Sequence, residues 1–183
     1  EIEESLSGHD VLILSDYGKG SLKLVEKILT VAKQHKMTVL VDPKGNDFSR
    51  YSGATMITPN LNEFELVAGK IGDDSDLEAK AMDLIRTYNV QQILVTLSDK
   101  GMKLFDRDSP SIHSHARSRE VYDVSGAGDT VIAVMAMCMA AKFGLSDAMS
   151  VANSAAGVVV SKLGTATATM HELKTAITRD AGK

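Results

Sequence analysis

Residues 123–130 read Asp-Val-Ser-Gly-Ala-Gly-Asp-Thr, and the run from Thr130 to Ala141 carries no charge. A helix over that run must be buried, so its start is its only polar part. The first N–H groups of a helix have no intrahelical partner, and the helix dipole adds positive potential there. Gly126 and Gly128 let the backbone approach a ligand and adopt positive φ. The result is an anion-binding turn with Asp129 at its lip, which points to phosphoryl transfer. The plainer reading makes Asp129 a helix-start carboxylate and Ser125 or Asp123 a cap.

The longer stretch shifts the balance between them. Asp123-Val-Ser-Gly-Ala-Gly-Asp129 resembles the Asp-Thr-x-Gly-Ala-Gly-Asp signature of the ribokinase-like (PfkB) carbohydrate kinases. The resemblance implies an anion hole for the transferred phosphoryl group at Gly126, Ala127 and Gly128. It makes Asp129 the acceptor of the sugar hydroxyl's proton. The dipole is expected to keep that carboxylate ionised, and a weak base suffices if the transition state is loose.

Further motifs resemble the same family. Thr58-Pro-Asn-Leu-Asn-Glu63 matches Asn-Pro-Asn-x-x-Glu, with Thr58 at the first position. This implicates Asn60 and Glu63 in organising Mg²⁺, water and phosphates, with Glu63 acting through water. Thr96-Leu-Ser-Asp-Lys-Gly101 resembles the nucleotide-binding turn Thr-x-Gly-x-x-Gly, with Ser98 replacing the middle glycine. It implies ATP contacts at Thr96, Ser98 and Gly101. Val151 to Gly157, then Lys162-Leu-Gly-Thr165, resembles the wall of the adenine site and brings in Asn153 and Gly164. Asp123, Ser125 and Gly164 fall near positions that hold a monovalent cation in some members. The plain alternatives are a helix-start acid at Glu63, an ordinary hairpin entry at 96–101, and close helix packing at 151–157.

Asp16-Tyr-Gly-Lys-Gly20 and Asp42-Pro-Lys-Gly45 bear on the substrate. Lys19 and Lys44 could meet a phosphate already on the sugar, with Asp16 in the same loop. Two solvated loop lysines are the alternative. Taken together, the motifs resemble the heptose 7-phosphate kinase branch of the family, across essentially the whole chain. The resemblance implies phosphorylation of C1 of D-glycero-β-D-manno-heptose 7-phosphate, on the route to ADP-heptose and lipopolysaccharide core. ATP and Mg²⁺ are the implied cofactors, and an adenylyltransferase domain fused on the natural chain is implied as a partner. A homo-oligomer is expected. Same-fold alternatives are an adenosine, ribose or fructose-phosphate kinase. A non-catalytic nucleotide-binding module would keep the glycine turn without needing Asp129.

These clusters need a scaffold. Val11–Leu14, Thr38–Val41, Ala54–Thr58 and Gln92–Thr96 read as buried strands. Helices are predicted from Ser21 as N-cap to Ala32, over Asn62–Ala68, and over Asp76–Tyr88 with Ser75 or Asp76 capping. Strand–helix alternation predicts right-handed βαβ units, a parallel α/β sheet and a ribokinase-like fold. Gly101–Phe105 and Ser111–His115 read as a hairpin. Three helices follow, roughly Gly126–Phe143, Asp147–Lys162 and His171–Thr178, and residues 178–183 are expected to fray or to form a linker. Each polar cluster follows a strand, so all are expected on one rim of the sheet. Residues 1–183 are read as one domain, the C-terminal nucleotide-binding portion of a ribokinase-like kinase domain without its first strands and lid.

Composition narrows the alternatives. The chain has 183 residues, 44% hydrophobic and 24% charged, with a net charge of −4. That is enough for a core and advertises no polyanion-binding surface. The lack of Trp and the few aromatics disfavour base-stacking platforms. The single Cys138 excludes an internal disulfide. No apolar run reaches a membrane span and no signal peptide is visible, so a cytoplasmic protein without nucleic acid or membrane partners is expected. The chain opens Glu-Ile-Glu-Glu rather than with Met and is expected to be processed or excised. Gly18-Lys19-Gly20-Ser21 lacks the leading glycine of a P-loop, and no early Gly-x-Gly-x-x-Gly marks a dinucleotide fold.

Overall fold

The computed structural model describes residues 2–116 and 121–181. Helix α1 (Ile2–Leu6) precedes β1 (Val11–Ser15), α2 (Val25–Gln34), β2 (Thr38–Asp42) and β3 (Met56–Ile57). Then come α3 (Leu61–Ala68), α4 (Asp74–Thr87), β4 (Gln92–Thr96), β5 (Met102–Asp106) and β6 (Ile112–Ser114). Helices α5 (Ala127–Ala140), α6 (Leu145–Val160) and α7 (Met170–Ala181) complete the order. The strands form one six-stranded sheet in sequence order, β1 to β6, in an α/β fold.

The β1–β4 pairings are parallel, with Val11 opposite Thr38, Leu40 opposite Met56 and Met56 opposite Gln92. Val39, Leu40 and Val41 of β2 are all buried, as a strand covered on both faces requires. At the edge strand β1, Ile13 is 40% exposed. The chain divides into two compact units, Glu1–Thr96 with Lys103–Ile112, and Leu97–Met102 with His113–Lys183. Phe48, Tyr51, Phe64, Ile85, Ile93 and Leu94 fill the first core. In the second, α5 packs on α6 and α6 on α7. Ala148, Ala152 and Ala155 are fully buried, and such small side chains let helices approach closely. Cys138 is buried among the core residues of α5.

Four local expectations are corrected. Ser21 does not cap α2. Residues 21–24 form turns, and the helix starts at Val25 with no side-chain cap. Its amphipathic face with Val25, Leu29 and Ala32 buried supplies the reason to be helical without one. Helix α4 is capped by Asp73, not by Ser75 or Asp76. Asp73 is extended, and its carboxylate accepts the Asp76 N–H at 2.8 Å. Asp76 returns a bond by accepting the Gly72 N–H at 2.9 Å. At the chain's end, α7 continues through Ala181 rather than fraying from Thr178. Gly182 and Lys183 lie outside the described residues. The third strand is Met56–Ile57 alone, because Thr58 and Pro59 already turn toward α3. No helix among the described residues is long and apolar enough to cross a membrane.

Candidate active site

In the second unit, the apolar helix α5 begins at the glycine turn. Gly126 is its N-cap, with φ 78° and ψ 2°, a left-handed conformation that glycine adopts at no steric cost. Its carbonyl accepts the Thr130 N–H at 2.9 Å and the Thr130 hydroxyl at 2.8 Å. The Ala127 N–H is engaged with the Val124 carbonyl at 3.2 Å, so it is not a free donor as expected. The Gly126 and Gly128 N–H groups make no hydrogen bond among the described residues. Gly128, expected at positive φ, is instead an ordinary helical residue of α5, and a Cβ built on it would meet nothing within 4 Å. Asp129 lies in the first turn, exposed. Two available amides, open space and an exposed carboxylate thus share one helix start.

The loop before α5 is anchored to the end of α6. The Tyr122 and Asp123 N–H groups both donate to the Val160 carbonyl, at 2.8 and 3.3 Å. The Asp123 carboxylate accepts the Ser125 N–H at 2.8 Å and the Gly164 N–H at 3.1 Å. These bonds, Ser125's first, hold its pKa below the ordinary aspartate value. Thr165 closes the same corner, with Cγ2 3.5 Å from a Cβ built on Gly126. Asp123, Ser125 and Gly164 are therefore brought together beside the glycine turn.

A second knot in this unit holds the turn at 97–101. Gly101 has φ 90°, and a Cβ there would lie 2.5 Å from the Ala116 nitrogen and run into the Ser114 carbonyl. Ser98 also sits in the left-handed region, with φ 56°. The Lys100 carbonyl bonds the His113 ring nitrogen at 3.0 Å. Asn153 is 4% exposed, and its amide donates to the Ser114 hydroxyl and the His115 carbonyl at 2.8 and 2.6 Å. Those NH₂ bonds clamp α6 to the end of β6 and the residue after it, which is the packing alternative for this residue.

In the first unit, Asn60 caps α3 by accepting the Glu63 N–H at 3.0 Å, and Glu63 accepts the Asn60 N–H at 3.1 Å. This capping box satisfies two helix-start donors. Asn60 also bridges to Thr96 at the end of β4. The other Glu63 oxygen takes Lys44 Nζ at 2.8 Å. That bond, then the opposite charge, raises the Lys44 pKa. Lys44 is therefore no free loop lysine and Glu63 no simple cap. Lys19 is exposed and has no hydrogen bond or ion pair among the described residues.

Asp16 departs furthest from expectation. Its carboxylate is buried at 4% exposure. It accepts the Tyr51 hydroxyl and the Gly18 N–H, each at 2.8 Å, and faces Arg50 at 3.3 Å. It is committed within the protein rather than offered to a substrate. Burial pushes the Tyr51 pKa up to about 12, so the hydroxyl keeps its proton. Sequence reasoning missed Tyr51 and Arg50. The one available signal was that a buried tyrosine needs a hydrogen-bond partner.

Comparison with known proteins identifies the family. Residues 5–172 match the family described as pfkB family carbohydrate kinase. The chain is 48% identical over 182 residues to "Bifunctional protein HldE" of Alcanivorax borkumensis, covering all of this chain and 38% of that protein. It therefore spans well under half of that relative. Among solved structures, Arabidopsis thaliana ribokinase complexed with ribose and ATP superposes with a TM-score of 0.86 at 20% identity, over 96% of this chain and 58% of that one. Escherichia coli phosphofructokinase-2 in complex with potassium gives 0.82 at 16% identity, over 98% and 60%. The chain belongs to the pfkB family of carbohydrate kinases.

Proposed function

We propose that this pfkB-family chain serves ATP-dependent phosphorylation of a sugar phosphate, and specifically of C1 of D-glycero-β-D-manno-heptose 7-phosphate. The observation that carries the kinase reading is the start of α5. There Gly126 and Gly128 offer unbonded N–H groups and Asp129 stands exposed in the same turn. The heptose reading is supported by the near-half identity to a bifunctional HldE protein along the whole chain.

In this reading the sugar hydroxyl attacks the γ-phosphorus of ATP and passes its proton to the Asp129 carboxylate. A new O–P bond forms as the bond to the ADP oxygen breaks. The Gly126 and Gly128 amides donate to the phosphoryl oxygens where charge builds up. Ser98 and Gly101 shape the nucleotide turn. Asn153 holds its wall from behind through Ser114 and His115.

The donor set at α3 suits Mg²⁺. Glu63 and Asn60 are hard oxygen donors, and no three His, Cys, Asp or Glu side chains converge among the described residues. Both Glu63 oxygens already accept bonds, from Asn60 and Lys44, so a metal held by waters and phosphates, with Glu63 acting through water, fits that set. When bound, Mg²⁺ neutralises charge on the nucleotide phosphates. The Asp123 carboxylate, fixed by Ser125 and Gly164, is the anionic centre for a monovalent cation. Lys19 and Lys44 take the phosphate already on the sugar.

The test is ADP release by the full-length protein with heptose 7-phosphate, with unphosphorylated heptose and with ribose. ³¹P NMR of the product locates the new phosphate. Turnover confined to heptose 7-phosphate, with a C1 phosphate formed, is the expected result. Better turnover of ribose, or nucleotide binding without transfer to any sugar, would overturn it.

A further inference from the structure

Two loops of the first unit carry Lys19 and Lys44, and one buried side chain ties the loops together. Tyr51 closes a short 3₁₀ turn, Ser49–Tyr51, and is fully buried. Its hydroxyl donates to Asp16 Oδ2 at 2.8 Å and accepts the Lys44 N–H at 3.2 Å. The Lys44 carbonyl is 3.3 Å away. A hydroxyl has one proton, and the shorter bond to the carboxylate takes it.

Asp16 extends the knot. Its Oδ1 accepts the Gly18 N–H at 2.8 Å, and its own N–H donates to the Asp42 carbonyl at 3.0 Å. Arg50 lies 3.3 Å from Oδ2 and reaches the Leu22 carbonyl at 2.6 Å. The loops touch as well, since a Cβ built on Gly18 would lie 3.7 Å from Lys44 Cγ. The backbone on either side of Lys19 and at Lys44 is therefore held by one network, centred on a hydroxyl and a carboxylate that are both buried.

Filling the core does not require this network. Phenylalanine would occupy nearly the same volume, and buried polar groups stabilise only when fully bonded. What the hydroxyl supplies is a fixed relation between two loops that sequence places far apart. We propose that Tyr51 is a positioning residue for substrate specificity. It locks the Asp16–Gly20 and Asp42–Gly45 loops so that Lys19 and Lys44 form one anion-binding surface for the phosphate end of a phosphorylated sugar. The inference rests on the reading of those two lysines given above. Lys44 is held by Glu63, so the incoming phosphate must take it over. With the Lys44 backbone fixed, that exchange needs rotation of one side chain rather than rearrangement of a loop, which lowers the ordering cost of binding.

The experiment compares full-length wild type with Tyr51→Phe, Lys44→Ala and the double variant. Kinetics are run with heptose 7-phosphate, unphosphorylated heptose and ATP. Loss of the hydroxyl should raise KM for heptose 7-phosphate about tenfold, the scale of one lost hydrogen bond to a charged or buried partner. KM for ATP and for unphosphorylated heptose should stay within about twofold. On the Lys44→Ala background, Tyr51→Phe should add a clearly smaller factor than it does alone, because the part of its effect that passes through Lys44 is already gone; full additivity would overturn the coupling.

A parallel loss for all three ligands, or a lower melting temperature with unchanged KM values, would make Tyr51 merely structural and overturn the inference. If Lys44→Ala leaves KM for heptose 7-phosphate unchanged, the underlying reading of the lysines fails instead. If Tyr51→Phe does not fold, Arg50→Gln decides, because Arg50 grips Asp16 from a partly exposed position. A selective rise in KM for the phosphorylated sugar supports the proposal, and an unchanged KM overturns it.

Discussion

Replacing Ser98 by glycine should stabilise this protein, although it removes a side chain. Ser98 has φ 56°, a conformation that costs an L-residue roughly 1–2 kcal/mol relative to glycine. Glycine returns part of that, roughly 0.5–1 kcal/mol, through the greater freedom of its unfolded chain. The Ser98 side chain is exposed and makes no hydrogen bond among the described residues, so no contact is lost. The carbonyl that accepts the Gly101 N–H at 3.0 Å remains. The net gain is about 0.5–1 kcal/mol, which for a chain of this size raises the melting temperature by about 1–4 °C. Differential scanning calorimetry of wild type and Ser98→Gly measures it directly. A lower melting temperature would refute the reasoning, because it would show that the left-handed backbone carries no cost at this turn.

Gly101→Ala should act in the opposite sense. A Cβ there meets backbone atoms of Ser114, His115 and Ala116 rather than a flexible side chain, so a loss of more than about 3 kcal/mol is expected in chemical denaturation. Glu172 is a pH-sensitive contact. The bond from Lys162, then those from Thr169, lower its pKa to about 2. A depressed carboxylate pKa contributes stability that is present above the unfolded value and lost as pH falls. The melting temperatures of wild type and Glu172→Gln should therefore differ at pH 7 and converge between about pH 4.5 and 2. Glu63→Gln should raise the Mg²⁺ concentration for half-maximal rate, and an unchanged titration would leave Glu63 as a cap and a partner of Lys44.

Much of the scaffold was legible because its signals are local. Continuous runs such as Val39–Val41 reveal buried strands, and the uncharged run after Asp129 reveals a helix, though one buried on one face only, with Ala133 and Met137 exposed. Capping was less legible. Ser21 precedes an apolar periodic run, yet the chain turns until Val25, because packing of the amphipathic face sets where α2 starts. In Gly72-Asp-Asp-Ser-Asp76, four side chains can cap equally well in sequence, and only the backbone of Asp73 is extended.

At the site, glycine positions were readable where geometry demands glycine, as at Gly126 and Gly101. The departure at Ser98 is now intelligible, since the backbone keeps the left-handed shape that the family's glycine would allow. Partnerships distant in sequence were not readable. Asp16 is held by Tyr51 and Arg50, Lys44 by Glu63, and Asn153 by Ser114 and His115. No spacing rule links such residues, so Asp16 and Asn153 looked available to ligands when both carry structural bonds.

The central claim is that Asp129 accepts the proton of the attacking hydroxyl at the start of α5. Single-turnover phosphoryl transfer from ATP to heptose 7-phosphate by full-length Asp129→Asn tests it most directly, with nucleotide affinity measured alongside. The account predicts a rate lower by about 10²–10⁴, the usual range for a lost general base, and ATP affinity within about twofold of wild type. A transfer rate equal to wild type would contradict it and return Asp129 to the role of a helix-start carboxylate.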